Sequence, residues 1–420
     1  MLGCLTSPSW GKTKEVEIIG KPVVNEDRVT VRVKVKDELE KPVMGLEHTD
    51  FSLKIDEDKE PVAVKRENWK SPQETVPPPA YIIVLLDLSG SMKQKDSGGS
   101  TKLEGAVNAI REFVRLSAKR GGDTQIAIVP FGESGSNCKG YSVNNTTLDK
   151  FFPAGDFKLQ NYLDYLTGLT PCAATNLYQP LDEAINFLGN QEDSRFYLSE
   201  ESKKSKLEPR LSIVLLSDGY HNKPNKEKDF KRLTDLLQRN PDLVVHTLGY
   251  GLNLDELAQK YSKELKELAQ KEKGQIATRR ATSSDKEKLA KQLVRIAPEE
   301  FVDEENLAEI ARLTGGIAEF SGNARDIAES LQVFLNSLLG EYEITYTHPN
   351  AERGSKHEVS VAVNSVSSES KPYIITVFGR SLSRPIRIST IVFSLFLLGF
   401  GGILPFSMWA KKLKYKGMDD

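Results

Sequence analysis

The sequence predicts an α/β protein with a doubly wound, mostly parallel sheet, accompanied by a β-sandwich-like domain and one transmembrane helix. Between residues 80 and 340, apolar runs of strand length alternate with amphipathic helical stretches, which is typical of parallel strands joined by crossover helices. Segments with period-two alternation, which is the mark of strands with one buried face, lie on both sides of this region. A long uncharged apolar stretch, residues 388–410, follows near the end of the chain.

Composition excludes several classes of protein. Hydrophobic residues make up 39% and charged residues 28% of the 420 residues, which is typical of globular protein and excludes general disorder. The formal net charge of −2 argues against the basic surface of a nucleic-acid-binding protein, so we expect no nucleic-acid partner. The lysine-rich stretches at 226–231 and 263–273 contain acidic residues throughout, which favours solvated helix faces.

The amino-terminal region, residues 1–70, is predicted to form β-structure. Residues 28–36 alternate strictly between apolar and polar side chains, and shorter runs follow at 51–55 and 62–64. A few strands alone form a marginal domain, so we expect their partners elsewhere in the chain. Residues 71–79 contain three consecutive prolines and are predicted to form a stiff linker.

Residues 80–340 are predicted to form the α/β domain. The predicted strands are 81–87, 125–131, 211–217, 244–248 and 316–320, and the predicted helices are 103–118, 177–188, 307–313 and 324–339. A charged helical insert occupies about 253–304. Asn323 is the expected N-cap of the last helix.

The carboxyl-terminal region, residues 341–380, returns to a β pattern, with alternating segments at 342–347 and 358–363. We expect these strands to complete the amino-terminal ones into one discontinuous sandwich, with the α/β domain inserted between its two halves. The alternative is two small, separate β modules.

Polar side chains follow the first buried strand of the α/β domain. Asp87, Ser89 and Ser91 come directly after the apolar run 81–86. Open α/β sheets bind ligands at the carboxyl ends of their strands. Carboxylate and hydroxyl oxygens are the donors that Mg²⁺ and Ca²⁺ prefer, so this edge is a candidate metal site.

The Asp87-x-Ser89-x-Ser91 motif resembles the metal-ion-dependent adhesion site of von Willebrand factor A-type (VWA) domains, in particular those of membrane-anchored bacterial proteins. The family's two other elements are also present, in the expected order. Thr175 lies in a segment that resembles the loop supplying the site's threonine, and Asp218 follows a strand that resembles the one delivering the second aspartate.

This resemblance implies a Rossmann-like fold and a set of roles. The hydroxyls of Ser89, Ser91 and Thr175 would bind Mg²⁺ (or Mn²⁺ or Ca²⁺), while Asp87 and Asp218 would act largely through bound water. Neutral hydroxyls quench a dication poorly, so an acidic side chain of another protein gains strongly by completing the coordination. We therefore expect a protein ligand.

The resemblance also places two of the three cysteines, Cys138 and Cys172, on the rim above the metal site. They could form a disulfide there, or they could be free thiols in a reducing compartment. The third, Cys4, follows a glycine in a way that resembles the end of a bacterial lipoprotein signal, and the alternative is an ordinary thiol.

Residues 388–410 are long enough to cross a bilayer as a helix. Four lysines in the tail, residues 411–420, favour a cytoplasmic end, although Arg380, Arg384 and Arg387 weaken the asymmetry. We expect the bulk of the chain to lie outside the cytoplasm.

Enzyme motifs are incomplete, so we expect no enzyme. The five histidines form no H-E-x-x-H, and Ser134 lies in a sequence one residue short of a G-x-S-x-G elbow. An aspartyl-phosphate hydrolase would use Asp87 but would require an acid where Ser89 stands. The predicted function is a membrane-anchored VWA protein that binds a protein ligand through a divalent metal; the alternative is a metal-independent scaffold or assembly subunit of a membrane complex.

Overall fold

The protein is described by a computed structural model. It covers residues 12–25, 27–56, 60–135, 138–172, 174–199, 202, 207–218, 221, 225–252, 254–271, 289, 292–293, 295–296, 302–348, 354–375 and 384–416. The predictions about Cys4, about most of the second half of the charged insert and about the last four residues of the tail lie outside the described residues.

Fifteen strands are described in these residues. They are β1 (Thr13–Asn25), β2 (Arg28–Asp37), β3 (Phe51–Ile55), β4 (Val62–Ala63), β5 (Trp69–Lys70), β6 (Ala80–Asp87), β7 (Thr124–Phe131), β8 (Phe152–Pro153), β9 (Arg210–Ser217), β10 (Leu243–Tyr250), β11 (Ala318–Ser321), β12 (Tyr342–Thr347), β13 (Lys356–Val363), β14 (Val366–Ser367) and β15 (Lys371–Ile374). The α-helices are α1 (Lys102–Arg120), α2 (Asn145–Leu148), α3 (Phe157–Thr167), α4 (Tyr178–Leu188), α5 (Lys226–Gln238), α6 (Leu254–Lys260), α7 (Ser262–Lys271), α8 (Glu304–Leu313), α9 (Ala324–Leu339), α10 (Arg384–Leu398) and α11 (Leu404–Lys416).

The central sheet is mixed and has the strand order β11-β10-β9-β6-β7-β8. Its first five strands are parallel, and only the short edge strand β8 runs antiparallel to its neighbour. The strand β6 lies in the middle and is buried along most of its length, as a continuous apolar run requires. Because β6 and β9 are parallel neighbours, their carboxyl ends deliver polar residues to the same edge.

Helices cover both faces of the central sheet. One hydrophobic cluster joins the sheet to α1, α3 and α9, and a second joins it to α4, α5 and α8. The N-cap prediction for the last helix of the domain is confirmed, since the Asn323 side chain accepts a hydrogen bond from the N–H of Asp326.

The helix α3 was not predicted. The sequence predicts helices at 103–118 and 177–188 and none between them. In the structure, Asp156 caps α3, and three leucines spaced as one helical face, Leu159, Leu163 and Leu166, are fully buried. The exposed Phe157 obscures this pattern because it adds an apolar residue to the solvent face.

The remaining strands form a two-sheet β unit. One sheet has the order β1-β2-β12-β5 and the other β14-β13-β3-β4, with β15 also paired to β13. Strands from the two chain regions pair directly: β2 with β12 and β3 with β13, all antiparallel. The inner faces of both sheets share one hydrophobic core.

A buried ion network lies where the α/β domain meets the β unit. The Glu341 side chain, between α9 and β12, is fully buried and accepts hydrogen bonds from Arg210 at 2.7 and 3.1 Å. Arg32 of β2 lies 3.4 Å from the other carboxylate oxygen. Burial alone would raise the pKa of Glu341, but the charges of Arg210 and Lys34 outweigh it and hold that pKa below its usual value.

The last described residues form a run of helix made of α10, a π-helical segment at Gly399–Ile403, and α11. Within it, Ile388–Lys411 has a mean hydropathy of 2.1, and none of it is buried against the rest of the protein. This segment is long and apolar enough to cross a membrane, judged by length and composition.

Candidate metal centre

Asp87, the last residue of β6, is fully buried and held in a fixed orientation. Its Oδ1 accepts a hydrogen bond from the N–H of Ser89 at 2.7 Å. Its Oδ2 accepts one from the hydroxyl of Ser217, at the tip of β9, at 2.5 Å. The first bond closes an Asx turn, in which an aspartate side chain accepts a hydrogen bond from the backbone N–H two residues further along the chain.

Ser89, Ser91 and Asp218 converge beside Asp87. The turn of 3₁₀-helix at Gly90–Lys93 brings the hydroxyl oxygens of Ser89 and Ser91 to 3.0 Å from each other. Both hydroxyls donate to Oδ1 of Asp218, at 3.2 and 2.8 Å. Four of the five predicted site residues are therefore connected to one another by hydrogen bonds, at the carboxyl edge of the sheet.

Thr175, the fifth predicted residue, lies in the adjoining loop before α4 and is partly buried. The start of this loop is tied to the segment that carries Ser89 and Ser91, because the N–H of Cys172 donates to the carbonyl of Leu88 at 3.1 Å. Ala174 and Glu133 exchange two backbone hydrogen bonds, at 3.0 and 3.2 Å.

The loop is also fixed covalently. Cys138 and Cys172 form a disulfide. Of the two states that the sequence allowed, a disulfide and two free thiols, the structure contains the disulfide.

The electrostatics of the cluster favour a cation. Two fully buried carboxylates, Asp87 and Asp218, lie within one hydrogen-bond network. Burial, and then the charge of Asp218, raise the pKa of Asp87 to about 7. Lys102 supplies one positive charge, since its ammonium donates to Oδ2 of Asp218 at 2.7 Å. One ammonium cannot balance two carboxylates, so the site has a surplus of negative charge when both are ionised.

The donor set fits a hard divalent cation. Every side chain at the centre of the cluster except Lys102 presents oxygen, as carboxylate or hydroxyl, and such oxygens are the ligands of Mg²⁺ and Ca²⁺. A dication would relieve the repulsion between Asp87 and Asp218. Ser89, Ser91 and Thr175 are the residues that would hold it directly.

Comparison with known protein families gives one match. The sequence profile described as von Willebrand factor type A domain matches residues 82–295, just over half of the chain. The chain belongs to the von Willebrand factor type A domain family. The match covers most of β6, all of β7 to β10 and the oxygen cluster at the carboxyl ends of β6 and β9, while β11 and α9 complete the same sheet and its helical layer.

Solved structures similar to this chain include two of the pilus adhesin SpaC from Lactobacillus rhamnosus GG. One has a TM-score of 0.36 at 11% identity, and the other, in the open conformation, 0.37 at 12%. Each covers 88% of this chain and 48% of the adhesin, so the chain spans about half the length of that protein. Proximal thread matrix protein 1 from the mussel byssus has a TM-score of 0.31 at 13% identity. The similarity covers 62% of this chain and 48% of the mussel protein. No curated protein sequence matches the chain.

Two residues of the candidate site, Lys102 and Ser217, are not predicted from the sequence. Ser217 immediately precedes Asp218, so its position at a strand tip was a usable signal. Lys102 is the first residue of α1 and reaches the site only because α1 begins beside it. Nothing in the spacing of the sequence distinguishes Lys102 from the neighbouring lysines.

A cavity of about 290 Å³ lies on the same rim of the VWA domain. Its lining includes Glu133, Lys139, Tyr141 and Asn176, so it carries both charges and an aromatic ring. The amide of Asn176 donates to the Glu133 carboxylate at 2.6 Å, which joins the two sides of the cavity. Asn176 follows Thr175 directly, so the cavity adjoins the threonine loop.

Proposed function

We propose that this chain is a membrane-anchored VWA protein that captures an acidic side chain of a protein ligand through a divalent cation at Asp87, Ser89, Ser91, Thr175 and Asp218. The observation that carries the proposal is the convergence of two buried carboxylates and two serine hydroxyls, with hydrogen bonds of 2.8 to 3.2 Å joining both serines to Asp218. Mg²⁺ is the proposed ion, with Mn²⁺ or Ca²⁺ as substitutes.

The chemistry follows from how little charge the direct ligands carry. Ser89, Ser91 and Thr175 offer neutral hydroxyls, while Asp87 and Asp218 would orient bound water. A dication held in this way keeps most of its positive charge, and an incoming carboxylate therefore binds strongly. The arrangement binds without a nucleophile or a general base, so the proposed function is non-enzymatic.

The rim cavity supports a protein ligand over a small anion. A ligand side chain at the metal would place the rest of its segment over the loop at Thr175 and towards Lys139 and Glu133. Polar groups of both signs and the ring of Tyr141 suit a peptide surface.

The anchor is the apolar helix Ile388–Lys411. We place the VWA domain outside the cytoplasm and the basic end of the chain inside it. The disulfide between Cys138 and Cys172 supports this orientation, because disulfides persist in oxidising compartments. The four lysines after residue 410 support it as well.

The test is a Mg²⁺ titration of the full chain in detergent after treatment with a chelator, followed by thermal unfolding. An ion that binds only the folded state must raise the melting temperature. We expect a rise in the wild type that Ser89→Ala/Ser91→Ala loses. The matched control, Ser97→Ala/Ser100→Ala, changes two exposed serines of the next loop and should keep the rise. A double variant at 89 and 91 that still responds like the wild type contradicts the proposal.

The second candidate function, a metal-independent scaffold or assembly subunit of a membrane complex, is favoured by one observation. The Lys102 ammonium already pairs with Asp218, which partly neutralises the site without a metal. The same titration separates the two candidates. A wild-type protein that is folded and shows no response to Mg²⁺, Mn²⁺ or Ca²⁺ supports the scaffold.

A further inference from the structure

A second cluster of metal-ligating side chains lies at one end of the β unit, outside the VWA domain. Asp56, His348 and His357 each present one ligand atom, and these three atoms all lie within 4.8 Å of one another. Two of the five histidines of the chain thus converge on one carboxylate.

The three residues come from different parts of the fold. Asp56 directly follows β3, and His357 lies on β13, the strand paired with β3. His348 directly follows β12, which belongs to the opposite sheet. The cluster therefore connects the two sheets, and it connects the amino-terminal part of the chain to the carboxyl-terminal part.

The distances suit ligands of one small cation. Nδ1 of His357 lies 3.0 Å from one carboxylate oxygen of Asp56 and 3.2 Å from the other. In a tetrahedral zinc site with bonds of about 2.0–2.1 Å, neighbouring ligand atoms are about 3.3 Å apart. The His348 ring lies beside His357, with ring centroids 4.2 Å apart, and its ligand nitrogen lies within 4.8 Å of the ligand atoms of the other two residues.

The surrounding structure holds these side chains in place. Asp56 has φ of 59°, a left-handed conformation that costs energy outside glycine and is often found at functional positions. Two hydrogen bonds with the backbone of Glu358 fix it: its N–H donates to that carbonyl at 2.9 Å, and its Oδ1 accepts from that N–H at 3.2 Å.

The two histidines are also oriented by their surroundings. Nε2 of His357 lies 2.5 Å from the Ser355 hydroxyl, the kind of contact that orients a metal-binding imidazole through its other nitrogen. The His348 side chain is buried, and its backbone N–H donates to the carbonyl of Asp27 at 2.9 Å. The Asp56 side chain is 30% exposed, so the cluster has contact with solvent through its carboxylate.

We propose that Asp56, His348 and His357 bind Zn²⁺ and that this ion clamps the two sheets of the β unit together. Two imidazoles and one carboxylate suit zinc, whereas Mg²⁺ and Ca²⁺ prefer oxygen ligands alone. This site is independent of the proposed VWA site, which consists of oxygen donors on a different sheet. Its expected role is structural, since it links segments about 300 residues apart in sequence.

The test measures zinc uptake by the full chain in detergent, with Mg²⁺ present in excess to occupy the VWA site. The chain is stripped with a chelator, incubated with Zn²⁺, separated from free ion and analysed for bound zinc, and its melting temperature is recorded with and without zinc. The variants are Asp56→Asn, which keeps the shape and tolerates the left-handed backbone, and His357→Gln. The matched control is His48→Gln, at a partly exposed histidine of the same β unit.

We expect about one zinc ion per chain and a higher melting temperature for the wild type and for His48→Gln. Asp56→Asn and His357→Gln should lose more than about tenfold in zinc affinity. Removing a group that only hydrogen-bonds to a metal ligand already costs about tenfold or more, and removing the ligand itself should cost at least as much. A wild type that takes up no zinc in excess Mg²⁺, or ligand variants that bind like the wild type, overturns the proposal.

A second measurement applies if the variants fail to fold. Co²⁺ replaces Zn²⁺ in the wild type, and its visible spectrum reports imidazole ligation at low coordination number. Intense visible bands that appear with Co²⁺ and disappear on adding Zn²⁺ support the site, and the weak spectrum of a six-coordinate ion contradicts it.

Discussion

Lys102 is the residue that most changes the electrostatics of the candidate metal centre. Its side chain is 8% exposed, and its ammonium contacts a carboxylate that is fully buried. A buried ammonium next to a cation site has two effects. It stabilises the metal-free protein by balancing Asp218, and it repels an incoming dication. The cost of binding metal therefore includes weakening this ion pair.

Replacing Lys102 by Met keeps the length of the side chain and removes its charge. We expect Lys102→Met to lower the melting temperature in chelator, because Asp87 and Asp218 then repel each other without compensation. We also expect Mg²⁺ to bind at least about tenfold more tightly, a gain of about 1.4 kcal/mol. Calorimetric titration and thermal unfolding measure the two effects.

The control for this prediction is Lys93→Met, which removes an exposed lysine from the 3₁₀ turn that carries Ser91. This variant tests whether removing any nearby positive charge strengthens Mg²⁺ binding, or only removing the charge that is paired with Asp218. Equal Mg²⁺ affinity in Lys102→Met and the wild type would show that the ion pair does not oppose the metal.

At the scale of single elements, the loop that carries Thr175 is the one whose position depends most on contacts with distant parts of the chain. It is joined to the β7 side of the rim by the disulfide and by the backbone pairing of Ala174 with Glu133. The disulfide closes a segment of 34 residues that includes α2 and α3. By restricting the unfolded chain, such a link stabilises the folded state by about 2–4 kcal/mol.

We expect Cys138→Ser/Cys172→Ser to lower the stability of the VWA domain by about 2–4 kcal/mol and to weaken Mg²⁺ binding several-fold. The second effect arises because the loop that carries Thr175 is then held by hydrogen bonds alone. Denaturant unfolding and Mg²⁺ titration of the full chain measure the two quantities. Loss of stability with unchanged Mg²⁺ affinity would mean that Thr175 is positioned without the disulfide.

The elements of the VWA domain were largely predictable because the signals are local. The apolar runs at β6 and β9 each end in polar residues, and the prediction of a VWA domain is confirmed by the family match over residues 82–295. The helix α3 was missed because its buried face consists of only three leucines within a polar segment.

The candidate site was only partly predictable. The positions of Asp87, Ser89 and Ser91 follow from one strand and one turn, and their metal-binding role stays a prediction. The ion pair of Lys102 and the hydrogen bond from Ser217 depend on how α1 and β9 approach β6, so local sequence carries little sign of them. The His348–His357 cluster was missed for the same reason, since it requires the pairing of β3 with β13 and the packing of both sheets.

At the scale of the whole molecule, the junction around Glu341 determines how the VWA domain and the β unit are joined. The carboxylate is fully buried between Arg210 of the VWA domain and Arg32 of the β unit. Such a charge is tolerable only while its partners are present, since breaking a buried pair costs about 3–5 kcal/mol. Glu341 therefore links the stability of the two parts.

We expect Glu341→Gln to destabilise the protein by about 3 kcal/mol near neutral pH, because Arg210 is left partly buried without its counter-charge. The control is Glu15→Gln, at a glutamate of β1 that is 43% exposed and pairs with Lys36 at 3.1 Å, and its cost should stay near or below about 1 kcal/mol. Denaturant unfolding of both variants measures the difference.

The stabilisation of the folded protein by the Glu341 carboxylate depends on pH, and its sign follows from the pKa shift. The pKa of Glu341 is lower in the folded than in the unfolded chain, so its stabilising contribution is present above the unfolded pKa and is lost as the pH falls through the folded one. The stability difference between the wild type and Glu341→Gln should therefore shrink on acidification. A difference that stays constant down to acidic pH would contradict the role of the charge.

The insertion of the VWA domain between two halves of one β unit has a mechanical consequence. The chain enters the VWA domain after β5 and returns from it at β12, and these two strands are paired, with Trp69 opposite Ile344. A domain attached by one linker can swivel, whereas one attached by two adjacent connections can tilt about the line between them but cannot rotate freely. A pulling force on a bound ligand would thus be divided between two peptide connections in parallel. Under that force the VWA domain could tilt relative to the β unit, but it could not spin about its attachment.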